Sequence, residues 1–356
     1  MKSKVYFSEI KDGKNAQEML SGLKRLIEPS SVFDCLKKDD KAAVKMHFGE
    51  VGNTGYIKPA FVRAVTDALS LKGAKPFLSD TNTLYKGRRT NSKDHLALAR
   101  EHGFLPESTG ANLIIPEDSQ PGMVTDIKIN QKLIKTAKIS SVFINADALI
   151  VLSHFKGHIM TSFGGALKNV GMGCAARQGK LAQHCDVSPV ILKDKCIACG
   201  ACVSVCQPRA IYIPEKAAVI DAGLCVGCAS CIAACPFGAV EIDWGQGAAT
   251  MSDKMIEYAK AVLDRKKGKA AFVNFVIKIT KECDCLAKDD PGIAPDIGIF
   301  ASNDPVSIDK ASYDAVLKAA GRDVFEEAHP QREGIRQLDY AAELGLGSLD
   351  YELIEV

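Results

Sequence analysis

Two copies of one cysteine spacing, C-x2-C-x2-C-x3-C, stand 29 residues apart and leave this stretch of chain few alternatives. The first, "CIACGACVSVC", supplies Cys196, Cys199, Cys202 and Cys206; the second, "CVGCASCIAAC", supplies Cys225, Cys228, Cys231 and Cys235. A tight loop of this kind lets three thiolates wrap one metal centre. Its small residues (Gly200, Ala201, Ala229, Ser230) let backbone N–H groups approach the sulfurs. The chain has 13 cysteines in all, and in a reducing compartment they read as metal ligands or reactive thiols rather than disulfides.

The repeated order is that of the bacterial two-cluster ferredoxin run, in which the fourth cysteine of each copy ligates the other cluster. One [4Fe–4S] cluster is therefore expected on Cys196, Cys199, Cys202 and Cys235, and the other on Cys225, Cys228, Cys231 and Cys206. Pro236 closes the second copy, whereas the first has Gln207 before Pro208, a departure that touches no ligand. CxxC pairs also bind zinc, but eight cysteines in this repeated order favour clusters. From about Val187 to Trp244 the segment carries four basic and five acidic residues, a net charge of −1. It lacks the strong one-signed field by which a diffusing carrier steers to partners, which favours electron delivery within its own chain.

Around this segment the pattern alternates. "AAVKMHF" (42–48), "KPFLSD", "ANLIIPED" and "VFINADALIVLSH" read as strands, with "KPAFVRAVTDALSLKGA" and "SKDHLALAREHGF" as helices between them. After it come helix "SDKMIEYAKAVLDRKK", strand "AFVNFVIKI", helices "DPVSIDKASYDAVLKAA" and "GIRQLDYAAELG", and strand "YELIEV". Neither half is a complete domain. The pattern predicts one α/β domain, residues 1–186 plus 245–356, with a mainly parallel sheet covered by helices on both faces. An α+β two-cluster ferredoxin-like domain, 187–244, interrupts it.

Open α/β sheets place ligands beyond the carboxyl ends of their strands. There the sequence offers "GEVGNTGY", then "TNTLYKGRR" with Arg88 and Arg89, then the long turn 154–184. That turn holds Lys156, Lys168, Arg177 and Lys180, no acids, six glycines, and three of the seven histidines: His154, His158 and His184. A charge of +4 among glycines suggests an anion site for carboxylate or phosphate. A solvated basic loop is the plain alternative. On a helix His154 and His158 would share a face and a metal. Gly157 and the strand end instead favour a loop, where substrate contact or proton transfer is expected. His47 falls within a strand pattern and is as readily packed as functional.

Cys283 and Cys285, in "KECDCLAKDDPG", stand one residue apart. A disulfide between i and i+2 closes a strained ring, and in an extended segment both side chains point to one side. If the run 272–279 is a strand of the same sheet, the pair reaches the edge that carries Cys174 and the histidines. Cys174, Cys283 and Cys285, with a histidine or Cys185, then form a candidate third metal or cluster site. Metal-free reactive thiols are the rival reading. Cys35 reads as a buried small hydrophobe.

"SHFKGHIMTSFGGALKNVGMGC", "CDCLAKDDPGIAPDIGIFASNDPVSIDKAS" and "AAELGLG" resemble the uncharacterised Fe–S-centre proteins of the domain-of-unknown-function 362 family. The resemblance covers nearly the whole chain and implies an iron–sulfur protein of largely anaerobic bacteria and archaea. It marks His154, Lys156, His158, Lys168, Asn169, Cys174, Cys283, Cys285 and Asp309 as motif positions and gives none a role. The expected function is a redox protein whose two clusters relay single electrons to a site in the α/β body. That site would act on a small anionic substrate or an extra metal centre. Its catalytic candidates are His154, Lys156, His158, Lys168, Asn169 and His184. The alternatives are a non-catalytic electron-transfer or docking protein, and a metal or cluster carrier using Cys283 and Cys285. A redox partner protein is expected. A net charge of +2 and 25% charged residues speak against a nucleic-acid partner. With no apolar leader or membrane-length run, a cytoplasmic location is expected. No GxGxxG follows a strand, so a dinucleotide fingerprint is missing.

Overall fold

A computed structural model describes residues 2–10, 16–28, 31–85, 87–184, 188–225, 227–242 and 248–356. Eight strands form the main sheet: β1 (Ser3–Glu9), β2 (Lys41–Lys45), β3 (Lys75–Ser79), β4 (Asn112–Ile114), β5 (Ala148–His154), β6 (Ala270–Val276), β7 (Gly298–Ser302) and β8 (Tyr351–Glu355). Their spatial order is β8-β1-β7-β6-β5-β2-β3-β4. Only β7 runs antiparallel to its neighbours, β1 and β6; β6, β5, β2, β3 and β4 form an unbroken parallel block. The fold is thus α/β, with a mixed but mostly parallel sheet. Among the described residues no helix is long and apolar enough to cross a membrane.

The parallel block reads as continuous hydrophobic sequence because both its faces are covered. Along β5, Leu149 and Val151 join one apolar cluster while Ala148, Ile150 and Leu152 join the other. Helices α1 (Ala16–Ile27) and α2 (Pro59–Leu71) cover the second cluster. Helices α3 (Ala166–Gly171), α5 (Ala248–Leu263) and α6 (Pro305–Ala320) pack on the first. Each fully buried Leu, Ile or Val contributes roughly 1.5–3 kcal/mol, so the sheet edge that carries the loops is rigid.

Two expectations are corrected. The strand expected to run to Ile279 ends at Val276, and Lys278 takes a left-handed φ of 44° that breaks the ladder. The turn 154–184, in which "GGALKNVG" reads as a helix start, holds that helix but is otherwise more regular than a loop. It makes a hairpin (Lys156–His158 with Ser162–Gly164), then α3, then α4 (Arg177–His184).

The 29-residue repeat of the sequence is also a repeat of the backbone. Val190–Ile191 pairs antiparallel with Val240–Glu241, and Ile211–Tyr212 with Val219–Ile220. Advancing 190–191 and 211–212 by the repeat length gives 219–220 and 240–241. The helical turns Ala201–Ser204 and Ser230–Ala234 correspond likewise. So do three pairs of left-handed residues: Ala198 and Gly227, Gly200 and Ala229, Arg209 and Gly238. A non-glycine with positive φ is strained, so its recurrence at matched positions shows that both loops demand the same turn. This unit has its own apolar cluster, completed by Leu84 and Leu181 from the surrounding fold. Both joints of the expected division, near 187 and 244, lie outside the described residues.

Asp309 ties the helices to the sheet. Its carboxylate accepts from Ala166 N (2.7 Å), Leu167 N (2.9 Å) and Asn274 Nδ2 (2.7 Å), capping α3 against β6. Burial outweighs these bonds and raises its pKa to about 6. The native state therefore holds a proton that the unfolded chain releases near pH 4, and stability falls as pH rises through this window. Asp309→Ala is expected to lower urea-unfolding stability by roughly 2–5 kcal/mol at pH 4. The gap should narrow by up to about 3 kcal/mol by pH 7.

Candidate functional site

The carboxyl ends of β2, β3, β5 and β6 stand side by side, and the residues after them line one cavity of about 430 Å³. His47 arrives after β2, Asp80, Tyr85 and Arg89 after β3, and His158, Lys168, Asn169, Lys180 and His184 after β5. Cys283 and Cys285 arrive after β6. Apolar walls come from Leu84, Ile159, Met160, Met172, Met251 and Leu286. An apolar pocket of this volume with a few convergent polar groups suits a small ligand. A second, smaller cavity shares His47, Lys168, Asn169, Cys283 and Cys285 with the first, so the cysteine pair stands on the wall between them.

The cysteines lie in a turn rather than an extended segment: Leu286 N–H donates to Cys283 O at 3.2 Å. Their side chains still converge, with the sulfurs 2.6 Å apart. The residue between them explains why. Asp284 points the other way and is gripped by the Lys156 ammonium and His154, whose Nδ1 lies 3.0 Å from Oδ2. His154 Nε2 completes the anchor by bonding Ile277 O at 2.7 Å. Burial opposes the Asp284 charge, yet Lys156 and His154 hold its pKa well below the usual carboxylate range. On the other side Tyr85 Oη donates to Cys285 O at 2.9 Å. Gly157 has no side chain because the backbone at Thr280 and Lys281 passes directly over it, with Gly157 N–H bonded to Thr280 O at 2.9 Å.

The two thiols share a proton unequally. Cys283 donates to Cys285, which raises the pKa of Cys283 well above the ordinary thiol value and holds Cys285 well below it. Lys168 and His47 face Cys285 and favour its thiolate further. Burial works against the charge of Lys168, but the two sulfurs and Asp284 outweigh it and raise its pKa. Lys168 makes no carboxylate ion pair among the described residues. By contrast Lys45 meets Asp80 at 3.0 Å, and Arg89 meets Glu50 at 2.8 Å. Gly49 N–H donates to His47 Nδ1 at 2.9 Å, and His47 Nε2 stands 2.7 Å from Arg89 Nη1. Burial and nearby cations keep His158 and His184 uncharged, the latter with a pKa of about 4. Burial likewise brings the Lys180 ammonium down to about 8.

Not every expected residue joins the cavity. His154 and Lys156 are consumed in anchoring Asp284, so His154 and His158 share no metal position. Arg177, expected to hold an anion, spends its guanidinium on Thr90 O. Cys174 lines neither cavity; it is fully buried in the apolar core, which pushes its thiol up to about 12. Cys185 lies outside the described residues. Among those described, no three His, Cys, Asp or Glu side chains stand close enough to hold one bare metal ion. Asn169 holds its place by donating to Leu152 O and Ser153 Oγ and accepting from Lys45. Lys45, Tyr85 and Asp284 were not foreseen as site residues, and His47, left between a packed and a functional role, lines the cavity. A lysine inside the buried run "AAVKMHF" was the available signal, since such a charge needs a partner.

The repeated unit brings its eight cysteines together in two sets. One small cavity is lined by Cys196, Cys199, Cys202 and Cys235, the other by Cys206, Cys225, Cys228 and Cys231. Backbone N–H groups of Ala218, Ala210 and Ala239 donate to Cys196, Cys206 and Cys235 at 3.2–3.3 Å. At Cys235 such bonds outweigh burial and lower the pKa.

A family model described as a domain of unknown function, DUF362, matches residues 42–314. The chain belongs to the DUF362 family. No protein of curated function matches this DUF362 chain in sequence. Among solved structures it is similar to a lactate racemase apoprotein from Thermoanaerobacterium thermosaccharolyticum, at 13% identity and a TM-score of 0.45. That match covers 90% of this chain and 56% of the other. It is also similar to a Thermotoga maritima structural-genomics protein at 12% identity and a TM-score of 0.39, covering 94% of this chain and 60% of the other. The DUF362 chain thus spans little more than half the length of either.

With the DUF362 protein fully reduced, alkylation of Cys285 should persist at pH values well below the ordinary thiol midpoint of about 8.5. Lys168→Met should move that midpoint up by roughly one unit or more. A profile that ignores the substitution would contradict the assigned contact.

Proposed function

We propose that this DUF362 protein is an iron–sulfur redox protein whose inserted ferredoxin-like unit serves the cavity at the sheet edge. The observation that carries the reading is the pair of four-cysteine cavities. Each takes three ligands from one copy of the motif and the fourth from the other, the crossing that a two-cluster ferredoxin requires. N–H donors on the sulfurs suit thiolate ligands. The lack of a one-ion shell does not argue against clusters, because the thiolates of a four-iron cube stand farther apart than the ligands of a single ion. Held there, two [4Fe–4S] clusters would supply one-electron chemistry.

The cysteine sets differ in position. The loop at Gly227, inside the second set, approaches Leu181 of α4; a Cβ there would stand 3.8 Å from Leu181 Cδ2. Lys180 and Leu84, which line the main cavity, are next to or within the same contact. On this reading the Cys206/225/228/231 set would be the one that serves the cavity. The other set lies beside exposed Ile197 (62%) and Phe237 (48%), with Cys199 itself exposed. Electrons would enter there from a redox partner protein. In the cavity Lys168 and Lys180 would hold a small anionic substrate, and the neutral His47, His158 and His184 would orient it and exchange protons. A cavity with converging cysteine, lysine and histidine favours this over a passive carrier.

Purification without oxygen should yield about eight irons and eight acid-labile sulfides per chain, unchanged in Cys283→Ser/Cys285→Ser. Cys206→Ser should lose the second set and approach four. Zinc in place of iron, or neither, would overturn the reading. About twelve irons falling to eight in the double variant would restore the third cluster.

A further inference from the structure

We propose that Cys283 and Cys285 are a redox-active dithiol–disulfide couple that joins two single-electron deliveries into one two-electron step at the cavity wall. This rests on the iron–sulfur reading for its electron source, but the couple itself stands on separate observations.

The sulfurs are 2.6 Å apart. That is well inside the roughly 3.5–4.0 Å of ordinary non-bonded heavy-atom contacts and just outside a disulfide's ~2.05 Å. Little movement separates the open pair from the closed one. The turn is clamped on both sides of the sulfurs, by Lys156 and His154 on Asp284 and by Tyr85 on Cys285 O. The backbone therefore holds them together in either state. The strain of an i, i+2 bridge, a reason against it as a structural link, is a reason for it here. A strained disulfide is more readily reduced and belongs to the labile, catalytic class.

The chemistry balances. In the oxidised state the Cys283–Cys285 S–S bond takes two electrons, one at a time, from the reduced iron–sulfur unit. The bond breaks, one proton completes the Cys283 thiol, and Cys285 rests as a thiolate beside Lys168. His47 contacts that sulfur and is placed to exchange a proton with it. In the reverse direction the thiol–thiolate pair would give two electrons and one proton to a small anionic two-electron acceptor held in the cavity, and the S–S bond re-forms. Cys174 lies in the apolar core, and Asp284 is paired with Lys156 and His154.

The test uses the full chain, purified without oxygen and equilibrated in glutathione redox buffers, in which structural disulfides stay closed. Free thiols are trapped with iodoacetamide and the chain is cut with trypsin. The peptide Glu282–Lys288 carries both cysteines and no others. At the oxidising end it should appear without label and two hydrogens lighter, and at the reducing end with two labels. Cys283→Ser and Cys285→Ser should each give one label throughout. Two labels on the native peptide in every buffer would overturn the couple, whatever the iron count. A cycling peptide in a protein without iron would overturn the iron–sulfur reading and, with it, the couple's electron source. The two failures therefore have different signatures.

Discussion

The buried contact of Lys156 and His154 with Asp284 decides what the rest of the site can be. Asp284 separates the two cysteines in sequence, and its carboxylate is drawn to one side by the Lys156 ammonium and by His154, which also contact each other. The sulfurs are thereby turned to the opposite side and into the cavity. Removing Lys156 would leave a buried carboxylate without its counter-charge, a loss usually worth several kcal/mol. The three side chains come from the end of β5, the hairpin after it and the loop after β6. The parallel pairing of β5 with β6 is what lets them meet, and the glycine at 157 is what lets the last loop lie across the hairpin.

The small repeated unit depends on the same economy of backbone. Two short antiparallel strand pairs, two helical turns and three matched pairs of left-handed residues reproduce one loop twice, related by the 29-residue shift. Each copy sends its last cysteine into the other's cavity, so neither cysteine set is complete without both. Its apolar cluster borrows Leu84 and Leu181 from the larger fold. Those same segments supply walls and a lysine to the main cavity, which places the two functional regions in contact through a few apolar side chains.

Much of this was legible in the residues. Continuous apolar runs such as "DALIVL" specify strands buried on both faces, and "KPAFVRAVTDALSLKGA" its helix, because burial alone fixes them. Spacing sorts the eight cysteines into two sets, and two small cavities are lined by those cysteines, while what they hold belongs to the proposal. Strands β1 and β7 were missed: "SKVYFSE" and "GIFAS" are short, and what defines them is pairing with partners far away in the chain. The roles of the 154–184 residues were mis-shared for the same reason. A lysine's charge is visible in sequence, but whether it faces Asp284, Thr90 or open cavity is set by loops distant in sequence. Cys174 shows the limit most plainly, since its neighbours in sequence suggest a site and its neighbours in space are apolar.

The central claim is that the iron–sulfur unit and the cysteine pair belong to one electron path. A coulometric titration of the fully oxidised protein without oxygen, followed by cluster absorbance and thiol trapping, tests it directly. The account predicts uptake of about four electrons per chain in the native protein and about two in Cys283→Ser/Cys285→Ser. Equal uptake by both proteins would contradict it.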